Sequence, residues 1–172
     1  IIDPAGQVDG LGEVAILNQH IVAKTEKYDQ TLDASGCYVL PGLIDFHTHL
    51  FRGSAFGVEP ELFLPTGVTA AVDAGTTGCL NFTYFYQKTL SQSRLRLKAF
   101  LNVSCIGQPG GGIVEPLDDT ALNWSRIEEL WESYRDVLLG LKIRISKSII
   151  RHNGVKPLLD TLAFAKARGI PV

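Results

Sequence analysis

The hydrophobic and polar positions of this chain follow two different patterns, which meet near residue 41. Before that point, apolar and β-branched residues occur in short runs at 13–17, 20–23, 31–34 and 37–40. The first two runs are separated only by Asn18 and Gln19, a two-residue connection typical of a β-hairpin. Ser35 and Gly36 separate the other two runs. The pattern predicts four short strands that form a small sheet within residues 1–40.

From residue 41 onward the apolar runs are separated by longer intervals. These runs occupy residues 43–46, 68–73, 99–105 and 138–145, and another begins at residue 170. Continuous apolar runs of this length are typical of strands that are buried on both faces of a parallel sheet. Residues 41–172 are therefore predicted to form a parallel α/β domain. The spacing alone does not distinguish a barrel from an open, doubly wound sheet.

Two of the intervals carry helical patterns. Ser125 and Glu128 have the spacing of a capping box, which predicts the start of one helix. Pro157 and Gly169 mark the start and the end of a second helix. The apolar faces are predicted to contain Ile127, Leu130, Trp131 and Tyr134 in the first helix, and Leu158, Leu159, Leu162 and Ala165 in the second.

Composition excludes several classes of partner. The 172 residues include 16 basic and 18 acidic side chains, for a net charge of -2. This balance gives no electrostatic basis for binding nucleic acid or an anionic membrane. Apolar runs are too short to span a bilayer, and Ile1 is not followed by a signal-peptide pattern. We expect a cytoplasmic protein. The chain has no methionine and stops at the start of an apolar run, so we also expect it to be part of a longer protein.

The strongest chemical signal is the sequence PGLIDFHTHL at residues 41–50. An apolar strand here ends in His47 and His49, and side chains two residues apart on a strand point to the same face. Both imidazoles can therefore reach one metal ion at the C-terminal end of the strand, where barrel enzymes carry their active sites. The three-residue pattern is short, and by itself it also occurs in proteins that bind no metal.

These residues resemble the amidohydrolase superfamily, whose members place this motif on the first barrel strand. The resemblance extends through GVTAAVDAG at 67–75, FLNVS at 100–104 and GLKIRIS at 140–146. It is greatest for the dihydroorotase-like group and its amidohydrolase/deacetylase metallohydrolases. It implies part of a small β-sandwich at residues 1–40, and at 41–172 the first half of a (β/α)8 barrel, with strands one to four and the start of strand five.

The same resemblance assigns Lys142 to the metal centre. In such enzymes the lysine of the fourth strand reacts with CO2, and its carbamate bridges two divalent ions, usually Zn2+. A protonated lysine repels a metal ion, whereas the carbamate is an anionic ligand with two oxygens. An ion-paired structural lysine is the alternative. The family's two further histidines and its aspartate general base lie on later strands, outside these residues.

Other polar residues are weaker candidates for substrate binding. Arg144 is two residues after Lys142 and could hold a substrate carboxylate, or it could pair with an acid of a neighbouring strand. Ser104 follows the third strand. His152 lies on a predicted loop, where a histidine is more often solvated than bound to substrate. The glycine-rich residues 108–115 lack the lysine that follows in a P-loop, so a barrel loop or lid is predicted there.

The implied activity is metal-dependent hydrolysis of a non-peptide C–N bond, as in a cyclic amide or an N-acyl group, or of a related ester, by a metal-activated hydroxide. The segment alone is catalytically incomplete. Two alternatives remain open, a mononuclear deaminase of the same superfamily and a noncatalytic dihydroorotase-like protein. The expected partner is a small-molecule substrate, and relatives commonly form homo-oligomers. The substrate itself is set by barrel loops, half of which lie outside these residues.

Overall fold

The computed structural model describes residues 1–24 and 27–172, which divide into two compact units, Ile1–Gly42 and Leu43–Val172. The boundary predicted from the sequence lay between residues 40 and 41. Assignment of the first unit to a β-sandwich domain stays a prediction. Among the described residues, no helix combines the length and the apolar character that crossing a membrane requires.

The first unit contains two small antiparallel pairs of strands. β1 (Ile2–Asp3) pairs with β2 (Val8–Asp9), and β3 (Ala15–Leu17) pairs with β4 (His20–Val22). The second pair is the predicted hairpin, which is therefore confirmed. Its turn residues, Asn18 and Gln19, have φ angles of 49° and 66°, as the tight turn of a two-residue hairpin requires.

The strands predicted at 31–34 and 37–40 are absent. A turn at Ser35 and Gly36 is present, closed by the hydrogen bond from the Cys37 amide to the Ala34 carbonyl at 2.9 Å. Residues 37–40 have one backbone bond to a strand, from the Ile2 amide to the Val39 carbonyl at 2.8 Å. A strand needs a ladder of such bonds to a neighbouring strand. Apolar composition favours an extended conformation but does not by itself provide that neighbour.

The second unit is built on a parallel sheet of four strands: β5 (Leu43–Thr48), β6 (Val68–Asp73), β7 (Arg96–Asn102) and β8 (Leu138–Lys142). Their order in the sheet is their order in the chain. Parallel strands that lie in the sheet in the order of the chain are typical of a barrel. In a doubly wound sheet the strand order reverses at a switch point.

Two of the strands end earlier than predicted. β7 stops at Asn102 and β8 stops at Lys142, although apolar residues continue to residues 105 and 145. Val103 remains completely buried after β7 has ended, and its amide donates one further hydrogen bond to the Lys142 carbonyl at 2.9 Å. The run that begins at residue 170 forms no strand, but the Pro171 carbonyl accepts a hydrogen bond from the Leu141 amide at 2.8 Å.

Short helices connect the strands. The α-helices are α1 (Phe82–Phe85), α2 (Trp124–Ser133), α3 (Lys147–Ile150) and α4 (Lys156–Lys166). Pro60–Thr66 and Arg151–Asn153 form 3-10 turns, and Tyr86–Leu90 forms a π-helical turn. The main core lies between the sheet and α1 and α2, where Phe82, Phe85, Ile127 and Leu130 are buried.

The helical predictions need two corrections. α2 is capped by Asn123, whose side chain accepts a hydrogen bond from the Arg126 amide at 3.0 Å, so the helix begins before the predicted Ser125 cap. α4 begins near Pro157 as predicted, but its buried face contains Pro157, Thr161 and Ala165. Leu159 and Leu162 are exposed, because the face predicted to be buried is rotated around the helix axis from the face that is buried.

Candidate functional site

The ends of the four parallel strands bring the candidate residues to one edge of the sheet. His47 lies near the end of β5 and His49 directly follows it, while Lys142 is the last residue of β8. Asn102, the last residue of β7, is in register with Lys142. Carboxyl ends of parallel strands meet at the same edge, which is where the active sites of barrels lie.

His47 and His49 adjoin one another. Their ring centroids are 5.8 Å apart and the rings are nearly perpendicular, at 85°. His47 is exposed, whereas His49 is half-buried and its ring meets the edge of Phe56 at a centroid distance of 4.9 Å. Nδ1 of His49 lies 2.7 Å from Oγ1 of Thr76, so one ring nitrogen is occupied within the protein.

A buried carboxylate supports this contact. Asp73, at the end of β6, is completely buried, and its Oδ2 accepts hydrogen bonds from the Thr76 hydroxyl and the Leu50 amide, both at 2.7 Å. Its Oδ1 accepts from the amides of Gly75 at 3.0 Å and Thr76 at 2.7 Å. Burial raises the pKa of Asp73, and the hydrogen bonds from Leu50 and Thr76 oppose that rise.

The electrostatic surroundings favour neutral His49. Burial lowers the pKa of the His49 imidazole. The charge of Asp73 opposes this shift, and the nearby side chains of His47, Lys142 and Arg144 lower the pKa further. A histidine must be neutral to give a lone pair to a metal ion. The lowered pKa of His49 favours the neutral form that a ligand needs.

Lys142 lines a cavity of about 270 Å³ at this edge of the sheet, together with Phe46, His47, Ala74, Phe100, Leu141 and Val172. Its side chain crosses the backbone of Gly75, which has a φ angle of 81°. A Cβ atom at Gly75 would lie 2.4 Å from Cβ of Lys142. Glycine is required here both by the backbone conformation and by the approach of the lysine.

An ion pair lies beside Lys142. Nη2 of Arg144 is 2.6 Å from Oε1 of Glu115, whose side chain has no exposed surface. Burial raises the pKa of Glu115, and the charge of Arg144 opposes that rise, as does that of Lys142 to a smaller extent. Arg144 itself keeps 43% of its side chain exposed. Of the two roles considered for Arg144, the structure therefore shows the ion pair, with an acid from the loop after β7.

The remaining candidates are less directly placed. Ser104 is completely buried, and its hydroxyl has no hydrogen-bond partner within the described chain. His152 is exposed on the 3-10 turn that follows α3. The glycine-rich residues 108–115 form a loop with buried ends, Gln108 and Glu115. Substrate binding by Ser104 and His152, and a lid function for this loop, stay predictions.

Thr76 and Glu115 are the site residues that the sequence did not reveal. Thr76 follows Asp73 by three residues, but this spacing has no distinctive meaning without the fold. Glu115 ends a glycine-rich segment whose pattern indicated only a loop. Both residues reach the site through contacts with elements distant in sequence.

The donor set fits part of a metal centre. Within residues 1–24 and 27–172, no group of three or more His, Cys, Asp or Glu side chains is arranged to hold an ion. His47 and His49 nevertheless place two imidazoles together, and Nδ1 of His49 contacts Thr76, which leaves Nε2 for a ligand role. Lys142 lines the same cavity as His47, so the structure brings together the three residues that the sequence predicted, with the lysine suited to bind through the oxygens of a carbamate.

The chain is similar to longer proteins of known name, although no protein-family model matches it. It is 33% identical to a deacetylase from Agrobacterium fabrum over 168 residues, which cover 96% of this chain and 41% of the deacetylase. Its fold matches a crystal structure of a dihydroorotase with a TM-score of 0.70 and 32% identity, covering 77% of this chain and 43% of that one. It also matches an adenine deaminase with a TM-score of 0.71 and 25% identity, covering 90% and 43%.

The chain thus spans about two fifths of the length of these relatives, at 41% and 43%. The order of its parallel strands and the two structural matches confirm the predicted α/β fold class, the first part of a barrel.

Proposed function

We propose, from the resemblance of this chain to about two fifths of the length of amidohydrolase-superfamily enzymes, that the full-length protein is a hydrolase. The bond it cleaves is a non-peptide C–N bond, as in a cyclic amide or an N-acyl group, or a related ester. The juxtaposition of His47, His49 and Lys142 at the carboxyl ends of the strands is the observation that carries this proposal.

His47, His49 and Lys142 would hold divalent ions, and zinc is a metal that both imidazole nitrogens and carbamate oxygens suit. Bound ions of this kind lower the pKa of water and polarise a substrate carbonyl. The remaining ligands and the general base would come from residues outside this chain. Burial lowers the pKa of His49, which favours the neutral form that a metal ligand requires.

Lys142 would serve as a carbamate. Its neutral amine adds to CO2, which forms an N–C bond and releases one proton. The cavity of about 270 Å³ along this side chain gives the added group room, and Gly75 leaves the lysine stem unobstructed. The result is an anionic ligand with two oxygens, able to bridge two ions.

Arg144 would bind an anionic part of the substrate. Its exposed portion offers guanidinium donors that can hold a carboxylate in a bidentate manner, while Glu115 holds the other side of the group. The further proposals are a cytoplasmic location, a small-molecule substrate and a homo-oligomeric assembly, which were expected from the sequence.

Elemental analysis of the full-length protein tests the proposal. We expect about two zinc-like ions per chain in the wild type, as in binuclear hydrolases, and a sharp decrease in Lys142→Ala. The matched control is Lys166→Ala, which removes an exposed lysine at the end of α4. Equal metal content in Lys142→Ala and Lys166→Ala would remove Lys142 from the metal centre.

A mononuclear deaminase is the second candidate, because the fold also matches an adenine deaminase. Such an enzyme does not need a bridging lysine. About one ion per chain, unchanged by Lys142→Ala, would favour it. Absence of bound metal in the wild type would instead favour a noncatalytic protein.

A further inference from the structure

We infer that Thr76, held by Asp73, is a positioning residue that fixes the ring of His49 with its proton on Nδ1 and its lone pair on Nε2. This inference rests on the proposed function, because His49 is a metal ligand only in that proposal. It assigns a role to two residues that are not themselves ligands.

The argument begins with the protons around Asp73. Three backbone amides point at its carboxylate, from Leu50, Gly75 and Thr76, and an amide can only donate a hydrogen bond. Burial raises the pKa of Asp73, but the hydrogen bonds that it accepts from Leu50 and Thr76 oppose this rise and favour the ionised form. An ionised Asp73 accepts at every contact, including the one with the Thr76 hydroxyl.

The hydroxyl of Thr76 must therefore donate its single proton to Oδ2 of Asp73, across 2.7 Å. Its oxygen then has only lone pairs to offer to Nδ1 of His49, which also lies at 2.7 Å. Two acceptors cannot form a hydrogen bond, so Nδ1 of His49 must carry the proton. In a neutral imidazole the other nitrogen, Nε2, is then unprotonated.

This proton order matches what a metal ligand requires. Ligating histidines commonly donate their second ring N–H to an oxygen acceptor, which fixes the tautomer and the ring orientation. Here the acceptor is a threonine hydroxyl that a buried carboxylate polarises. The site therefore prepares Nε2 of His49 before any ion arrives.

Asp73 also holds the backbone next to His49. The Leu50 amide donates to the same Oδ2 atom that receives the Thr76 proton. Asp73 thus fixes the ring of His49 through Thr76 and fixes the following peptide directly. Both connections start at the end of β6, whose Asp73 is in register with Thr48 of β5.

Nuclear magnetic resonance of full-length, metal-free protein with 15N-labelled histidine rings reads the tautomer directly. His49 is assigned by the resonances that disappear in His49→Gln. We expect the proton on Nδ1 in the wild type and in Thr76→Ser, and a mixture of tautomers in Thr76→Val. A wild-type ring with its proton on Nε2 would overturn the inference.

Thr77→Val is the matched control. Its hydroxyl is completely buried, is adjacent in sequence, and has no hydrogen-bond partner within the described chain. The same threonine-to-valine change at this position should leave the His49 resonances unchanged. A loss of tautomer order in Thr77→Val equal to that in Thr76→Val would show a general packing effect and would overturn the specific role of Thr76.

Zinc affinity, measured by competition with a chromophoric chelator, provides the second measurement. We expect Thr76→Val to bind zinc about 10-fold to 100-fold more weakly, as for the loss of other groups that orient a ligand, while Thr76→Ser and Thr77→Val stay close to the wild type. Equal affinity in Thr76→Val and Thr77→Val would overturn the inference and leave the proposed function standing. A wild type that binds no zinc would overturn the proposed function, and the tautomer spectrum would then decide the positioning of the ring by itself.

Discussion

Apolar residues have different fates in the two units of this chain. In Ile1–Gly42, large apolar side chains such as Leu11, Ile21 and Leu32 are exposed, and Ala15 is the buried hydrophobic residue among those described. In Leu43–Val172, Phe82, Phe85, Leu101, Ile127 and Leu130 are buried at 0–1% exposure. Composition does not explain this contrast, because both units contain many leucines and isoleucines.

The difference lies in the layers that each unit forms. The strands of the first unit contain two or three residues each, whereas those of the sheet in the second contain five to seven. Helices α1 and α2 also cover the sheet, and an apolar face is stabilising only when a second layer removes it from water. An apolar run in the sequence therefore predicts a buried strand only where the fold supplies a second layer to cover it.

The largest test of this contrast removes one apolar side chain from each unit. Leu101→Ala opens a cavity at a residue that is 0% exposed, and we expect it to lower the free energy of unfolding by about 2–5 kcal/mol. Ile21→Ala changes a residue that is 80% exposed, so we expect a change within about 0.5 kcal/mol. Denaturant unfolding of the 172-residue chain measures both.

Similar losses in the two variants would contradict the contrast between the units. Repeating Ile21→Ala in the full-length protein sharpens it further. A loss there of about 2 kcal/mol or more would mean that another part of the longer protein covers this face of the hairpin.

Much of the second unit could be predicted from its sequence. The run at residues 68–73 coincides with β6, and the apolar residues Ile127, Leu130 and Trp131 form the buried face of α2. Strand ends were less predictable, because apolar, buried residues such as Val103 continue after β7 has ended. The periodicity of apolar residues predicts which residues are buried. It does not predict the backbone hydrogen bonds that define where a strand ends.

The site was predictable only where the motif itself carries the chemistry. His47 and His49 were singled out by their spacing, and Lys142 by resemblance, and the structure brings all three to one edge of the sheet. Thr76 and Glu115 could not be found in this way. Their importance depends on a 2.7 Å contact with His49 and a 2.6 Å contact with Arg144, both made across the fold.

A smaller effect is expected from adding one methyl group to a glycine in each unit. Gly75 and Gly36 have similar φ angles of 81° and 76°, so alanine carries a similar backbone penalty of about 1–2 kcal/mol at both. At Gly75 the new Cβ also meets Lys142 at 2.4 Å, whereas nothing lies within 4 Å at Gly36. We expect Gly75→Ala to cost about 1–3 kcal/mol more than Gly36→Ala, as measured by denaturant unfolding.

This pair separates backbone strain from crowding. Equal losses in Gly75→Ala and Gly36→Ala would mean that Lys142 can move away from the backbone without cost. Metal content of Gly75→Ala gives a second measurement, since displacement of Lys142 should lower it while Gly36→Ala should leave it unchanged.

The smallest expected effect is a gain of stability in the hairpin of the first unit. Gln19 has a φ angle of 66°, which costs a residue with a side chain about 1–2 kcal/mol. Gln19→Gly creates an Asn-Gly turn, the preferred pair for this type of hairpin. Glycine also gives the unfolded chain more freedom, which offsets about 0.5–1 kcal/mol, so the net gain should be about 0.5 kcal/mol. We expect this gain in stability to slow the amide hydrogen exchange of β3 and β4.

The control is Gln30→Gly, in the same unit but outside the positive φ region. Here glycine relieves no strain, so only the entropic cost remains, and exchange should be unchanged or faster. Slower exchange in Gln30→Gly would show that the gain at Gln19 does not come from the turn. Unchanged exchange in Gln19→Gly would mean that the hairpin opens for a different reason, namely that Ile16 and Ile21 are exposed and no second layer covers them among the described residues.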